Sequence, residues 1–425
     1  MKNNIWIINQ YCGSKVHGMN FRSWYFAKEL KKKGHHPHII SASYSHLFYK
    51  LPVTKGKFTL ENVDGIPFTW VKVSKYKGSQ SIGRVLVMIQ FMLNLFLLPK
   101  KKLQDPDVII VSSLSPLPII NAYLWSIKYK AKLIFEVRDI WPLSLIEIGG
   151  FSKLNPLVLF FGWFEKFAYK KADKVISLLP NAKPHMVSRG MEKDKFVHIP
   201  NGFNVEEMKK SKELDKSISN LIPKNKFIVG YTGSLGASNA MEYLIEASNL
   251  LENNENIHFV IFGKGQHLEK LKNNAKNNVS FLGQIDKSQI QSAISYFDVC
   301  YIGWHNNLLY RFGISPNKIF DYMYSGKPII HSVNTSNDIV QIAKAGISIE
   351  PENSREIANF IGIDEEVDLS QRSNYFSETA SKSQVNQNIY RRSLNKEAFG
   401  DYFELFQDSY LAQIDFWKEK YGIIV

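Results

Sequence analysis

The chain predicts an α/β fold built as two Rossmann-like domains, and three observations carry that expectation. Short apolar runs alternate with amphipathic stretches along most of the 425 residues. Glycine-bearing loops follow several of the apolar runs, as where a parallel strand turns into a helix. The alternation also starts afresh near residue 226, after the polar, lysine-rich stretch NGFNVEEMKKSKELDKSISNLIPKNK, which reads as a connector.

The first series opens with NIWIINQ (3–9), a short buried strand, and the loop YCGSKVHGMNF. RSWYFAKELKKKG has apolar spacing near 3.6 and a closing glycine, which predicts a helix, and HHPHIISAS predicts the next strand. DPDVIIVSS and AKLIFEVRD are further strands, with LPIINAYLWSIKYK as the helix between them. ADKVISLLP and FVHIPNGFN continue the alternation. In the second series KFIVGYTGSLG, IHFVIFGKGQ, VSFLGQ, DVCYIGW and PIIHSV read as strands, and AMEYLIEASNLLENN and HLEKLKNNAK as helices. The expected organisation is a domain over residues 1–200, a second over 201–395, and a closing helix over 396–425 that packs back toward the first.

Charge divides along the same line. Residues 1–200 hold 30 Lys and Arg against 12 Asp and Glu, a balance of +18; residues 201–425 hold 23 against 27, a balance of −4. A basic half suggests an anionic partner, either nucleic acid or an acidic lipid leaflet. The run VLVMIQFMLNLFLLP (85–99) has 15 residues, short for a membrane span of about 20. With KKK directly after it, it reads either as a core helix or as a helix immersed in a membrane interface. Two cysteines, Cys12 and Cys300, are too few for a disulfide framework or a cysteine-based zinc site, and a reducing compartment fits. The amino terminus reads as a first strand, not an export signal.

The motif with most chemical promise is SPNKIFDYMYSGKPII (315–330). Ser315 suits the N-cap and Pro316 the first helical position, with Asn317 after it, so the helix mouth offers backbone N–H groups and a positive dipole end to phosphate. Lys318 is placed to add a cation, and Asp321 lies one turn below it, where it could orient the lysine, accept from a sugar or form a plain surface pair. EVRDIWP puts Glu136, Arg138 and Asp139 at the carboxyl end of a strand; Arg138 suits phosphate or carboxylate, and Asp139 or Glu136 could serve as a base or position an acceptor. Gly13 and Gly18 allow close backbone approach in the loop after the first strand, with His17 beside them. Asp105 and Asp107 lie at the amino end of their strand, so a metal-binding D-x-D is rejected.

The stretches HGMNFRSWYFAKELKKKGH (17–35), FEVRDIWPLSLIEIG (135–149), ADKVISLLP (172–180), VHIPNGFN (197–204), GYTGSLG (230–236) and ISPNKIFDYMYSGKPII (314–330) together resemble a bacterial glycosyltransferase of family 4, with the GT-B fold of two Rossmann-like domains facing across a cleft. The likeness is nearest to the O-antigen and capsular polysaccharide subgroup, including N-acetyl-L-fucosaminyltransferases. It implies a retaining enzyme that takes a UDP-sugar, needs no metal or cofactor, and passes an N-acetylated sugar to a lipid-linked, undecaprenyl-type acceptor on the cytoplasmic face of the membrane. Its donor residues would be His17, Gly18, Gly233, Ser234, Gly263, Lys264, Ser315, Pro316 and Asn317. Arg138, Asp139, Lys318 and Asp321 would be catalytic, with Arg311 a further candidate cation. The family's pair of glutamates falls on Gly313 and Asp321, and its loop arginine and lysine fall on Ser234 and Asn239, so both loop cations are lost. Many relatives have a histidine where this chain has Arg138. Two other readings compete: a UDP-sugar epimerase of the same fold, and a nucleic-acid-binding protein.

Overall fold

The computed structural model describes residues 2–18, 20–78, 81–203 and 205–362. Two compact units share them, the first ending at Asn201 and the second starting at Gly202. The expected closing helix over 396–425, and the end of the second domain to residue 395, lie outside the described residues.

The first unit is built on eight strands: β1 (Asn4–Ile8), β2 (His36–Ala42), β3 (Phe58–Val63), β4 (Ile66–Val71), β5 (Val108–Ser112), β6 (Lys132–Val137), β7 (Lys174–Ser177) and β8 (Phe196–His198). They lie in the order β3-β4-β2-β1-β5-β6-β7-β8, all parallel except the β3–β4 pair. That antiparallel hairpin is an element the sequence reading passes over. Its signal is Asp64-Gly65, both at positive φ, between two segments that pair residue for residue. The helices that matter below are α1 (Arg22–Lys32), α2 (Ile82–Phe96), α3 (Ile119–Tyr129) and α4 (Pro156–Lys171).

The second unit has β9 (Phe227–Thr232), β10 (Ile257–Phe262), β11 (Val279–Gly283), β12 (Val299–Gly303), β13 (Ile329–Ser332) and β14 (Gly346–Ile349), in the order β11-β10-β9-β12-β13-β14 and wholly parallel. Both faces are covered. Val229, Tyr231, Phe259 and Ile261 feed one core, while Ile228, Val260, Cys300 and Ile302 feed the other. Helices α5 (Met241–Leu250), α6 (Asn317–Ser325) and α7 (Ser354–Gly362) belong here. The stretch expected to be a bare connector is part of this unit, because Leu214 and Ile222 are buried in its core.

Strand order fixes where ligands can sit. In each sheet the chain reverses its direction of growth once, between β1 and β5 and between β9 and β12. At such a point the loops leaving the carboxyl ends diverge and open a crevice. The segments leaving β1 and β6 bring Tyr11, Gly18 and Arg138; those leaving β9 and β10 bring Gly233 and Gly263.

Candidate active site

In the second unit the site assembles around one amine. The Lys318 Nζ donates to Tyr231 Oη at 2.8 Å and to Asn239 Oδ1 at 2.7 Å, and lies 4.2 Å from the centroid of the Tyr231 ring. Tyr231 Oη in turn donates to the Ser234 carbonyl at 2.7 Å. An ammonium has three hydrogens, so these acceptors leave one for a ligand. Partial burial lowers the Lys318 amine to about 7. A buried cation short of counter-charge is a receptor for an anion.

Helix α6 starts one residue later than the sequence suggests. Pro316 is the N-cap, with extended backbone at φ −76° and ψ 140°, and Asn317 is the first helical residue. Pro316, not Ser315, therefore holds the N-cap position, and the first turn holds no acid. The amide-rich mouth keeps its positive character. Asp321 does not orient Lys318, whose amine is taken up by Tyr231 and Asn239. Burial raises the Asp321 carboxyl to about 6, and its backbone carbonyl accepts from Gln291 Nε2 at 3.0 Å. Arg311 donates to the Leu308 carbonyl and lies 4.3 Å over the Phe312 ring, on its own turn.

The two glycine loops are pressed together backbone to backbone. Gly233 N donates to the Phe262 carbonyl at 2.9 Å, and Leu235 N to the Lys264 carbonyl at 2.9 Å. A Cβ on Gly263 would stand 1.9 Å from the Gly233 oxygen, and one on Gly233 would stand 3.1 Å from Lys318 Nζ. Their bareness thus serves the packing that sets the amine in place. Gly263→Ala is expected to force the loops apart at a cost of about 1–3 kcal/mol. A lowered thermal midpoint with weakened nucleotide binding would show it. Ser234 and Lys264 are exposed on these loops.

In the first unit Arg138 lies just past the carboxyl end of β6, and its guanidinium donates to Asn20 Oδ1. The exposed Asp139 stands within electrostatic reach of both Arg138 and Arg84. Arg84, in the first turn of α2, donates from Nε to Tyr11 Oη at 3.1 Å and lies over the rings of Tyr11 and Trp141. His46 and Tyr76 extend this wall, with 2.7 Å between His46 Nδ1 and Tyr76 Oη. Arg84, lying over two aromatic rings, and Arg138 both act on Asp139, and guanidinium groups in such a setting suit phosphate. The sequence reading missed Arg84, Tyr11 and Trp141, because the only signal was a lone arginine ahead of an apolar run.

Three expectations need correction here. His17 is 2% exposed, packed 4.9 Å from the Trp70 ring and joined to Ser14 Oγ at 2.9 Å, so it offers no contact to a donor. A Cβ on Gly18, at φ +130°, would meet the Leu47 oxygen at 2.7 Å; the glycine serves the 47–49 segment. Glu136 is no candidate base, because it is buried in an ion pair with Arg22, 2.8 Å from Nε to Oε1.

Residues 16–207 match the model of Glycosyltransferase Family 4, and residues 226–362 match that of Glycosyl transferases group 1. The chain is a glycosyltransferase of the GT-B type. Among solved structures the enzyme is similar to a glycosyltransferase from Rickettsia africae, at 16% identity and TM-score 0.61 over 98% of each chain. It is similar to the sucrose-phosphate synthase of Thermosynechococcus elongatus, at 14% identity and TM-score 0.66 over 99% of this chain and 100% of that one. It is also similar to Anabaena HepE, whose structure holds UDP and glucose, at 14% identity and TM-score 0.58 over 97% and 98%. No curated protein matches it.

Two positions at which the resemblance implies other residues have distinct local settings here. Gly313, where the resemblance implies the first glutamate, takes φ 95° and ψ 172°, a backbone that only glycine adopts without strain. Asn239, where the resemblance implies a loop lysine, accepts from the amine of Lys318. The cation of this site rides on a helix.

Proposed function

We propose that this glycosyltransferase moves a sugar from a UDP-sugar to a lipid-linked acceptor, with retention of configuration, in the making of a surface polysaccharide. The observation that carries the reading is the Lys318 amine in the first turn of α6, seated beside Gly233 at the switch point of the second sheet. A leaving nucleoside diphosphate carries its negative charge to such a place, and preset donors there act mainly on the transition state. UDP as the nucleotide has the support of the HepE complex. The Arg84–Arg138 cluster supplies a second phosphate site, in the basic unit, for the pyrophosphate of an undecaprenyl-type acceptor. An epimerase has no use for that second site. The N-acetylated sugar, with N-acetyl-L-fucosamine as the example, and the O-antigen or capsule pathway follow from the subgroup resemblance. So does a working place on the cytoplasmic membrane face. Asp139 is the group best placed to position an acceptor hydroxyl.

No resident cofactor is needed in this scheme, and the charge on UDP is met by Lys318 and the α6 amides without a metal. UDP at 100 times its dissociation constant should stabilise the enzyme by about 2.7 kcal/mol, read as a rise in melting temperature. EDTA should leave sugar transfer within about twofold, since loss of one electrostatic partner in such a site costs about 10²–10³ in rate. No shift with UDP, or a collapse of transfer in EDTA, overturns the respective part.

A further inference from the structure

Three helices of the first unit, α2, α3 and α4, form one layer, with α3 in contact with both of its neighbours. Each buries one stripe and exposes another. On α2 the buried stripe is Val87, Met88, Phe91 and Leu95. Opposite it, Leu93 is 54% exposed and Leu97, just beyond the helix, 62%. On α3 the outward residues are Leu124 (47%) and Ile127 (59%); on α4 they include Leu159 (57%) and Trp163 (56%). Single exposed leucines are ordinary, but a shared outward face on three adjacent helices is not.

The charge of that layer is one-sided. Segments 82–102, 119–130 and 156–171 hold nine Lys and Arg and a single acid, Glu165. Glu165 does not reach the face. It is buried, paired with Arg189 at 2.9 Å and His185 at 3.0 Å. The charge that the layer shows outward is therefore cationic only. Trp163 stacks on Phe167, Phe167 meets Tyr123 edge-on at 5.2 Å, and Lys171 lies 5.4 Å over the Tyr123 ring. Amphipathic aromatics with lysines beside them suit the boundary between head groups and acyl chains. Among the described residues no helix is long and apolar enough to cross a membrane.

We infer that the α2–α3–α4 layer is a docking face for an anionic lipid surface, the apolar residues entering the interface and the lysines meeting head groups. It rests on the proposed function only in that a lipid-linked acceptor brings the enzyme to a bilayer. The face is wider than the one apolar run in the sequence, because exposed residues of α3 and α4 extend it. Each lysine near such a leaflet adds about 1 kcal/mol, close to fivefold in affinity. The attraction fades with salt.

The experiment is sedimentation of the full chain with vesicles of phosphatidylcholine alone or with phosphatidylglycerol. Wild type should pellet with the anionic vesicles at least tenfold more tightly. Leu124→Ser/Trp163→Ser and Lys128→Glu/Lys170→Glu should each lose about tenfold or more, with UDP-induced thermal shifts unchanged. Leu250→Ser, an exposed leucine of the second unit, should bind as wild type. Pelleting of both double variants as tight as that of wild type, or no preference for anionic vesicles, overturns the inference. So does conversion of a dimer to a monomer in the variants with vesicle binding intact, which would make the face a contact between copies. Loss of the UDP shift in wild type counts against the nucleotide site and leaves the vesicle result standing.

Discussion

Lys318→Met lowers the affinity for UDP at least tenfold and the turnover of sugar transfer by about 10²–10³, while the protein stays folded. The magnitude follows from what the amine does. It is the cation seated between Tyr231 and Asn239, and the helix dipole alone is worth about 0.3–1 kcal/mol at an exposed end. The methionine keeps the stem that fills the space above the Tyr231 ring, so the fold has little reason to fail. Titration also marks the residue. Its amine falls from 10.5 to about 7 on folding. Between these values the unfolded chain keeps the proton and the folded chain does not, so this group's contribution to stability rises with pH across that window. Lys318→Met should flatten that rise. Asp321 acts in the opposite sense, because its carboxyl rises from 3.8 to about 6 on folding and its contribution falls as pH climbs through that range. Isothermal titration with UDP at pH 6, 7 and 8, beside melting curves from pH 5 to 10, checks both. Unchanged UDP affinity in the variant would remove Lys318 from the site.

Arg22→Met is the second large effect, and it falls on stability: about 3–5 kcal/mol from the first unit. The Arg22 and Glu136 side chains are each 2% exposed. Arg22 also donates to the carbonyls of Pro200 at 2.6 Å and Ile199 at 2.9 Å, fastening the last residues of the unit to α1. Removing the guanidinium leaves a carboxylate in the core without its partner, and that desolvated charge is what costs. The double variant Arg22→Met/Glu136→Met should recover most of the loss, since no buried charge remains. Denaturant unfolding followed by the first unit's tryptophans measures this. A single-variant loss under about 1 kcal/mol would mean that the pair is dispensable.

The alternation that marks parallel α/β sheets was plain in the sequence, because strands covered on both faces are continuous apolar runs and the helices between them keep a 3.6 period. The β3–β4 hairpin was within reach, through Asp64-Gly65, but its outer strand is half polar and gave no apolar run. Lys318 was found because a helix start has a local signature. Its partners were not, because Tyr231 and Asn239 lie 87 and 79 positions away, and no local pattern reports a contact made by sheet topology. His17 and Gly18 misled for the converse reason. A loop glycine beside a histidine reads the same whether it faces a ligand or packs under Trp70. Glu136 and Arg138 are two residues apart, but the strand sends one into the core and leaves the other past its end.

Helix α6 anchors itself through Ile319, Phe320, Tyr322 and Met323, all buried, and Tyr322 Oη reaches the Thr232 amide at 2.8 Å. The amine it carries is thus positioned before any nucleotide arrives. A cation on a mobile loop has to be localised at each encounter, and that ordering opposes association. Here the site is preorganised. Nucleotide capture should show little entropic penalty in calorimetry, and the helix amides should exchange with deuterium at nearly the same slow rate whether the pocket is empty or full.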